Sequence, residues 1–229
     1  LRSPRDLPST VLSNVGSLAD KLRLLRLIAS VRRGSVPEIM RRADMSTHQK
    51  IEQLGFSQRF VKRFLQPLFS GIQLDPNLEV SSRRFEVIFR MLAVGDSAVP
   101  AMGIGMLSEL MADGLPDGVV QCGRLVVELD GTTALLADGE RVDARIIVVA
   151  THGPNAADLL KLPDPGSRPV SAIWFDATRE PLHGKKIFLD GAESGPMKNL
   201  AVMTDVAPEY APVGRTLCVA AIPGPAALT

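Results

Sequence analysis

Few side chains in this chain have both the type and the spacing that chemistry needs. Cys122 and Cys218 stand far apart, with no companions at metal-ligand spacing and no secretory context to favour a disulfide. They read as two buried free thiols, the usual state of an unpaired cysteine. His48, His152 and His183 are scattered among loops and a polar helix, so neither a metal site nor a cysteine–histidine nucleophile pair is expected. No Ser-His-Asp, paired-carboxylate or P-loop constellation can be assembled either, and no catalytic residue is assigned. The stretch "GIGMLS", residues 103–108, opens like the G-x-G of a dinucleotide fingerprint. That mechanism needs a strand delivering the chain into the turn and a third small residue for close helix packing. Here "GDSAVPAM" precedes it and Ser108 stands in the third position, so a helix start after a flexible turn is the better reading. The pairs Arg41-Arg42 and Arg83-Arg84 read as solvated helix faces, with phosphate or lipid headgroup contact as the alternative.

One stretch stays open. "VDARIIVVATHGP", residues 142–154, is an apolar strand that breaks off in Ala150, Thr151, Gly153 and Pro154. Strand ends of this kind commonly approach a dinucleotide, yet no glycine-rich turn upstream holds a pyrophosphate. The strand either serves a cofactor or is an ordinary buried strand.

The elements that must position such residues follow from pattern. With 229 residues, 45% hydrophobic and 22% charged, the chain suits one large soluble domain or two modest ones. Its longest apolar runs stop short of the roughly 18 to 20 residues a membrane span needs, and "LRSPRDLPST" lacks the apolar region of a signal peptide. The expected location is the cytoplasm, with peripheral membrane attachment as the other reading. Charge is uneven: residues 1–100 carry a net +7 and residues 101–229 a net −6. A basic half attracts nucleic acid or an anionic membrane surface. Aromatics are only 4% of the chain, and Phe56, Phe60, Phe64, Phe69, Phe85 and Phe89 have helical spacings that suit a core rather than exposed base-stacking platforms. Nucleic acid is therefore not an expected partner.

Residues 17–33 predict an amphipathic helix with Leu18, Leu22, Leu25, Ile28 and Ala29 on its apolar face, Ser17 as N-cap and an arginine-rich opposite face. Further helices are predicted in "SVPEIMRRA", in "STHQKIEQLG" capped by Ser46, in "SQRFVKRFLQPLFSGI" capped by Ser57 and interrupted near Pro67, and in "SSRRFEVIFRMLAVG". After Gly95 come a short helix in "IGMLSELMADG" and a strand meander with turns at Asp130-Gly131 and Asp138-Gly139. The meander leads to the strand at 142–154 and a short helix in "NAADLLKLP". From Pro169, "PVSAIWFDA", "KKIFLDG", "NLAVMTDV" and "TLCVAAI" have the spacing of an antiparallel sheet. The expected class is α/β, an α+β mixture.

The order of these motifs resembles the flavin-containing amine oxidase superfamily, nearest to its phytoene desaturase-like and protoporphyrinogen oxidase-like branch. The likeness runs through "FLQPLFSGI", "LDPNLEVSSR", the P-x-x-G at Pro100 and Gly103, "DGERVDARIIVVATHGP" and "NLAVMTDVAPEYAPVGRTLCVAAIPG". It implies that residues 1–98 are the helical part of a substrate domain, 99–162 a middle piece of an FAD-binding domain, and 163–229 the antiparallel sheet of the substrate domain. It implies FAD as cofactor, with backbone around Leu125, Val126 and Val127 near its adenine–ribose end and Ala150 and Thr151 at the strand tip facing it. The family's N-terminal strand–GxGxxG–helix unit and its C-terminal FAD segment are not seen between "LRSPRD" and "GPAALT". The expectation is therefore an internal portion of a longer flavoenzyme that moves hydride from a substrate C–N or C–C bond to flavin. A non-catalytic binding or membrane-surface module derived from that fold is the alternative. The substrate is a small molecule, either a greasy one taken from a membrane surface by way of the basic N-terminal helices or a small amine beneath a plain helical cap.

Overall fold

Serines start the helices. In the computed structural model, which describes residues 13–178, 182, 184–192 and 195–224, α1 (Leu18–Arg33), α2 (Val36–Met40) and α3 (Thr47–Gln53) each begin in a reciprocal capping box, made by Ser17 with Asp20, Ser35 with Glu38 and Ser46 with Gln49. Ser57 caps α4 (Gln58–Phe60) through the Phe60 amide. The interruption expected near Pro67 is present, as a widening rather than a break. The chain widens into a π-turn at Val61–Leu65, in which the Gln66 amide donates to the Val61 carbonyl, and continues as α5 (Gln66–Gln73). Pro67 sits in the first turn of α5, where its missing N–H costs little, and the π-turn accommodates the ring. His183, the opening stretch "LRSPRDLPST" and the closing "GPAALT" beyond Gly224 lie outside the described residues.

The chain forms two units, Leu1–Gly103 with Pro169–Thr229, and Ile104–Arg168. In the first, α1 to α5 and α6 (Ser82–Val94) enclose one aromatic core. Phe69 and Phe85 are fully buried, their ring centroids 4.6 Å apart, and Phe89 stacks on Phe69 at 5.9 Å. Buried polar groups brace it. Glu86 receives Arg42 at 3.0 Å and Lys50 at 3.3 Å, and the Arg83 guanidinium donates to the Arg42 carbonyl at 2.7 Å. Arg42 and Arg83 are thus structural rather than solvated, while Arg41 and Arg84 are exposed.

The rotation of α1 departs from expectation. Its buried residues are Asp20, Leu24, Leu27 and Val31, not the Leu18, Leu22 and Leu25 row, which faces solvent. The reason is the Asp20 carboxylate. It accepts from the amide and hydroxyl of Ser17, at 2.8 and 2.7 Å, and from the amide and hydroxyl of Ser57, also at 2.8 and 2.7 Å. Burial alone pushes this carboxyl upward, but the hydrogen bonds from Ser57 and Ser17 together outweigh it and hold the group well below the usual carboxylate range.

The same unit holds a four-stranded antiparallel sheet ordered β4-β7-β6-β5, from β4 (Val170–Ala177), β5 (Ile187–Leu189), β6 (Asn199–Val202) and β7 (Thr216–Pro223). "NLAVMTDV" is a strand only in its first half, because α9 (Met203–Val206) takes over. The Gly71 backbone in α5 comes close to β6: a Cβ on Gly71 would overlap the Asn199 amide.

In the second unit, α7 (Gly105–Asp113) precedes an antiparallel meander of β1 (Val126–Asp130), β2 (Thr133–Leu136) and β3 (Arg141–Asp143), followed by α8 (Gly153–Leu160). Gly131 and Gly139 take positive φ of 58° and 89° at its two hairpin turns, where a side chain would be strained. Cys122 is exposed, a correction to the pair of buried thiols, because it lies in the turn before β1; Cys218, in β7, is buried. The structure also corrects the strand at 142–154. It ends at Asp143; the Ala144 amide still donates to the Thr132 carbonyl, and 145–151 run on without strand partners among the described residues.

Two outcomes follow. Asp20→Ala leaves the Ser17 and Ser57 donors without their acceptor and lowers stability by about 1–3 kcal/mol in urea titrations. A carboxyl depressed on folding stabilises above its unfolded value, near 3.8, and that contribution is lost as pH falls through the folded one. The acid limb of a stability–pH curve should therefore flatten in the variant. Gly71→Ala forces the Asn199 amide aside, so its effect on the melting midpoint should be more favourable in an Asn199→Ala background than in the wild type, and identical effects in the two backgrounds would contradict the close approach.

Candidate functional site

Within the unit Ile104–Arg168, two stretches converge on one cavity of about 790 Å³. One wall is Arg124, Leu125, Val126 and Val127, with Leu129 of β1 and Ala134 of β2. The other is Ile147 to Thr151 with Pro154, Asn155, Asp158 and Leu159 at the start and along the side of α8. All five residues assigned from the sequence, Leu125, Val126, Val127, Ala150 and Thr151, line this one space. The two glycine positions of "GIGMLS" are not among its lining residues; Gly105 begins α7 and Gly103 takes a positive φ of 97° in the turn before it.

Local structure explains the first wall. Val126 pairs with Leu136 and Glu128 with Leu135, so Val127 is the extra residue of a β-bulge and has no partner opposite it. A bulge bends the strand and frees the backbone of the inserted residue from the ladder. The Leu125 carbonyl is spoken for, accepting from the Ala137 amide at 2.9 Å.

The second wall is extended chain outside both sheets. Among the described residues no backbone hydrogen bond joins 145–151 to another segment. Ile147 and Val149 are half-buried, while Ile146 and Val148 are 79% and 80% exposed. Backbone N–H and C=O groups along this edge are therefore available to a ligand or to another strand. Small Ala150 and the Thr151 hydroxyl sit where the chain turns into α8, whose N-cap is His152. The only buried apolar side chains in this unit are Leu136 and Ala157, among the described residues.

Arg124 is the residue that sequence reading missed. Its guanidinium pairs with Glu140 across the meander and lies 3.9 Å from Asp138. The nitrogen nearest Asp138 is its Nε, which is buried and makes no hydrogen bond, while the residue as a whole lines the cavity. The signal available in the sequence was only an arginine next to "LVVEL", which by itself reads as solvated. Asn155 and Asp158, on one side of α8, add polar groups to the same rim. An apolar-walled cavity with a few convergent polar groups and free backbone edges can take a flat heteroaromatic ring with hydrogen-bonding edges.

The comparisons bear on what such a ring belongs to. The family model described as flavin containing amine oxidoreductase matches residues 2–229. A search of curated proteins finds no match. Among solved structures, an oxidoreductase from Methanosarcina mazei is similar over 96% of this chain and 54% of its own, at 18% identity and a TM-score of 0.67. A protein from Pyrococcus furiosus is similar over 86% of this chain and 53% of its own, at 15% identity and a TM-score of 0.60. A reduced UDP-galactopyranose mutase is similar over 89% and 51%, at 13% identity and a TM-score of 0.54. The chain thus spans about half the length of these structures, and at such identities the likeness is one of fold.

If 145–151 are unpaired in solution, their amides should exchange with deuterium at rates close to those of an unfolded chain while those of the central strand β2 are protected. Protection of 146–150 equal to that of β2 would mean the segment has a partner.

Proposed function

This chain belongs to the family of flavin containing amine oxidoreductases, and from that premise we propose that it is an internal portion of an FAD-dependent oxidoreductase whose cavity between Arg124–Val127 and Ile147–Thr151 receives the adenine–ribose side of the cofactor. The observation that carries the reading is the convergence of those two stretches, which the meander separates in sequence, on one cavity that has the Arg124 guanidinium among its lining groups. The residues present fit the group: the bulged backbone at Val127 and the free edge at 145–151 offer hydrogen-bonding groups, and Arg124 brings a guanidinium to the wall.

When bound, FAD would supply the redox chemistry, taking a hydride from a substrate C–H as the adjoining C–N or C–C bond becomes a double bond and a proton is lost. This chain's task is to hold and shield. Val126, Ile147 and Val149, each half-buried, give the cavity apolar walls that exclude water. Backbone at 125–127 reads the edge of the adenine, and small Ala150 leaves room at the strand tip. Residues 1–98 and 163–229 would form the two parts of the substrate domain around the Phe69–Phe85 core and the β4-β7-β6-β5 sheet. The substrate class follows the same two readings, an apolar molecule or a small amine.

Titration of the chain with FAD, followed by flavin fluorescence, tests the reading. Binding is expected to be weak, because the glycine turn that holds a pyrophosphate is not among these residues. Ala150→Phe, which fills the cavity, should weaken it about tenfold, or ~1.4 kcal/mol, with the melting midpoint unchanged, and Arg124→Leu, which removes the guanidinium together with its ion pairs to Glu140 and Asp138, should weaken it as much. Binding indifferent to both substitutions would place the cofactor elsewhere, and no saturable binding at all would favour the non-catalytic module.

A further inference from the structure

The outward face of α1 carries a row of leucines that no described part of the chain covers. Leu18, Leu22 and Leu25 are 68%, 51% and 50% exposed, and their spacing of four and three residues stands them above one another along the helix. Ala29 continues the row. By helical geometry Arg26 and Arg33 border this row on one side and Lys21 and Arg32 on the other. Arg26, Arg32 and Arg33 are exposed, and among the described residues none has a carboxylate at ion-pair distance. Asp20, the one acid of the helix, points inward and is buried. The face is apolar along its middle and positive along both edges.

That combination discriminates between occupants. The leucine spacing also suits a helix–helix seam, so a second copy of the chain is the obvious competitor. A second copy would bring the same arginines to the same flanks, and like charges beside an apolar seam oppose pairing. An anionic bilayer satisfies both features: leucines enter the boundary between headgroups and acyl chains while the arginine stems lie along apolar surface and their heads reach the phosphates. The wider field agrees, since residues 1–100 carry a net +7. No helix among the described residues is long and apolar enough to cross a membrane, so contact through α1 is contact in the plane of the surface.

We propose that α1 docks on membranes containing anionic lipid, with Leu18, Leu22 and Leu25 entering the interface and Arg26, Arg32 and Arg33 meeting the headgroups. The proposal is independent of the cofactor reading, because these residues lie on the unit that does not contain the cavity.

Flotation of the 229-residue chain with phosphatidylcholine vesicles, with and without phosphatidylserine, is the test. The chain should float with the phosphatidylserine vesicles and hardly at all with phosphatidylcholine alone. Partition should fall as salt rises from 0.1 to 1 M and the screening length shortens from ~10 to ~3 Å. A Leu18→Ser, Leu22→Ser, Leu25→Ser variant and an Arg26→Gln, Arg32→Gln, Arg33→Gln variant should each lose partition by roughly tenfold or more, while both keep the wild-type melting midpoint because all six side chains face solvent. No partition onto phosphatidylserine, equal partition onto both vesicles, or variants that float like wild type would overturn the proposal. So would a wild-type dimer in size-exclusion chromatography that the leucine variant turns into a monomer, since the row would then belong to a second copy.

Discussion

Asp20 sets the rotation of the first helix, and much of the helical block is arranged around that choice. A carboxylate with no solvent exposure is costly unless its oxygens are filled. Here the amides and hydroxyls of Ser17 and Ser57 fill them, joining the N-terminus of α1 to that of α4. With Asp20 turned inward, the periodicity of the helix brings Leu24, Leu27 and Val31 with it onto the core with Ile39, Phe60 and Phe85. The other row of leucines has to face out.

A second constraint of the same kind shapes the smaller unit. Backbone polar groups must find partners, and the meander provides them only within itself. Its ladder is broken once, by the bulge at Val127, and it ends at Asp143, after which an apolar segment runs alongside with both edges open. Two interruptions of regular pairing thus face the same space. Sheets rarely leave such edges uncovered, which is why the cavity reads as a place for hydrogen-bonding partners rather than as a packing defect. Arg124 belongs to the same logic, since its ion pairs with Glu140 and Asp138 keep the guanidinium beside that space.

The two units differ in how their apolar surface is used. The larger has a closed aromatic core with braced buried charges, including Glu86 between Arg42 and Lys50. The smaller buries little and shows Ile104, Met111, Ile146 and Val148 at 70 to 80% exposure. The chain spans about half the length of the similar structures. Apolar surface of that extent is characteristic of a face that other protein or a ligand covers.

Local chemistry was legible from residues alone. Serine caps, the glycines of the two hairpin turns, the phenylalanine spacing and the alternation that makes the β4-to-β7 sheet each act within a few positions, so their consequences are written where the residues stand. The cavity-lining residues at 125–127 and 150–151 stood out as two separate stretches through the order of motifs, but the bulge at Val127 and the pairing of Arg124 with Glu140 did not, because each depends on a partner strand's register. The helix α1 shows the division most plainly. Its sequence holds two rows at the same spacing, Leu18-Leu22-Leu25-Ala29 and Asp20-Leu24-Leu27-Val31, and composition favours burying the first. Only the arrival of Ser57, thirty-seven positions away, makes the second row the cheaper one to bury, since a carboxylate's desolvation is offset by donors that no local pattern can reveal.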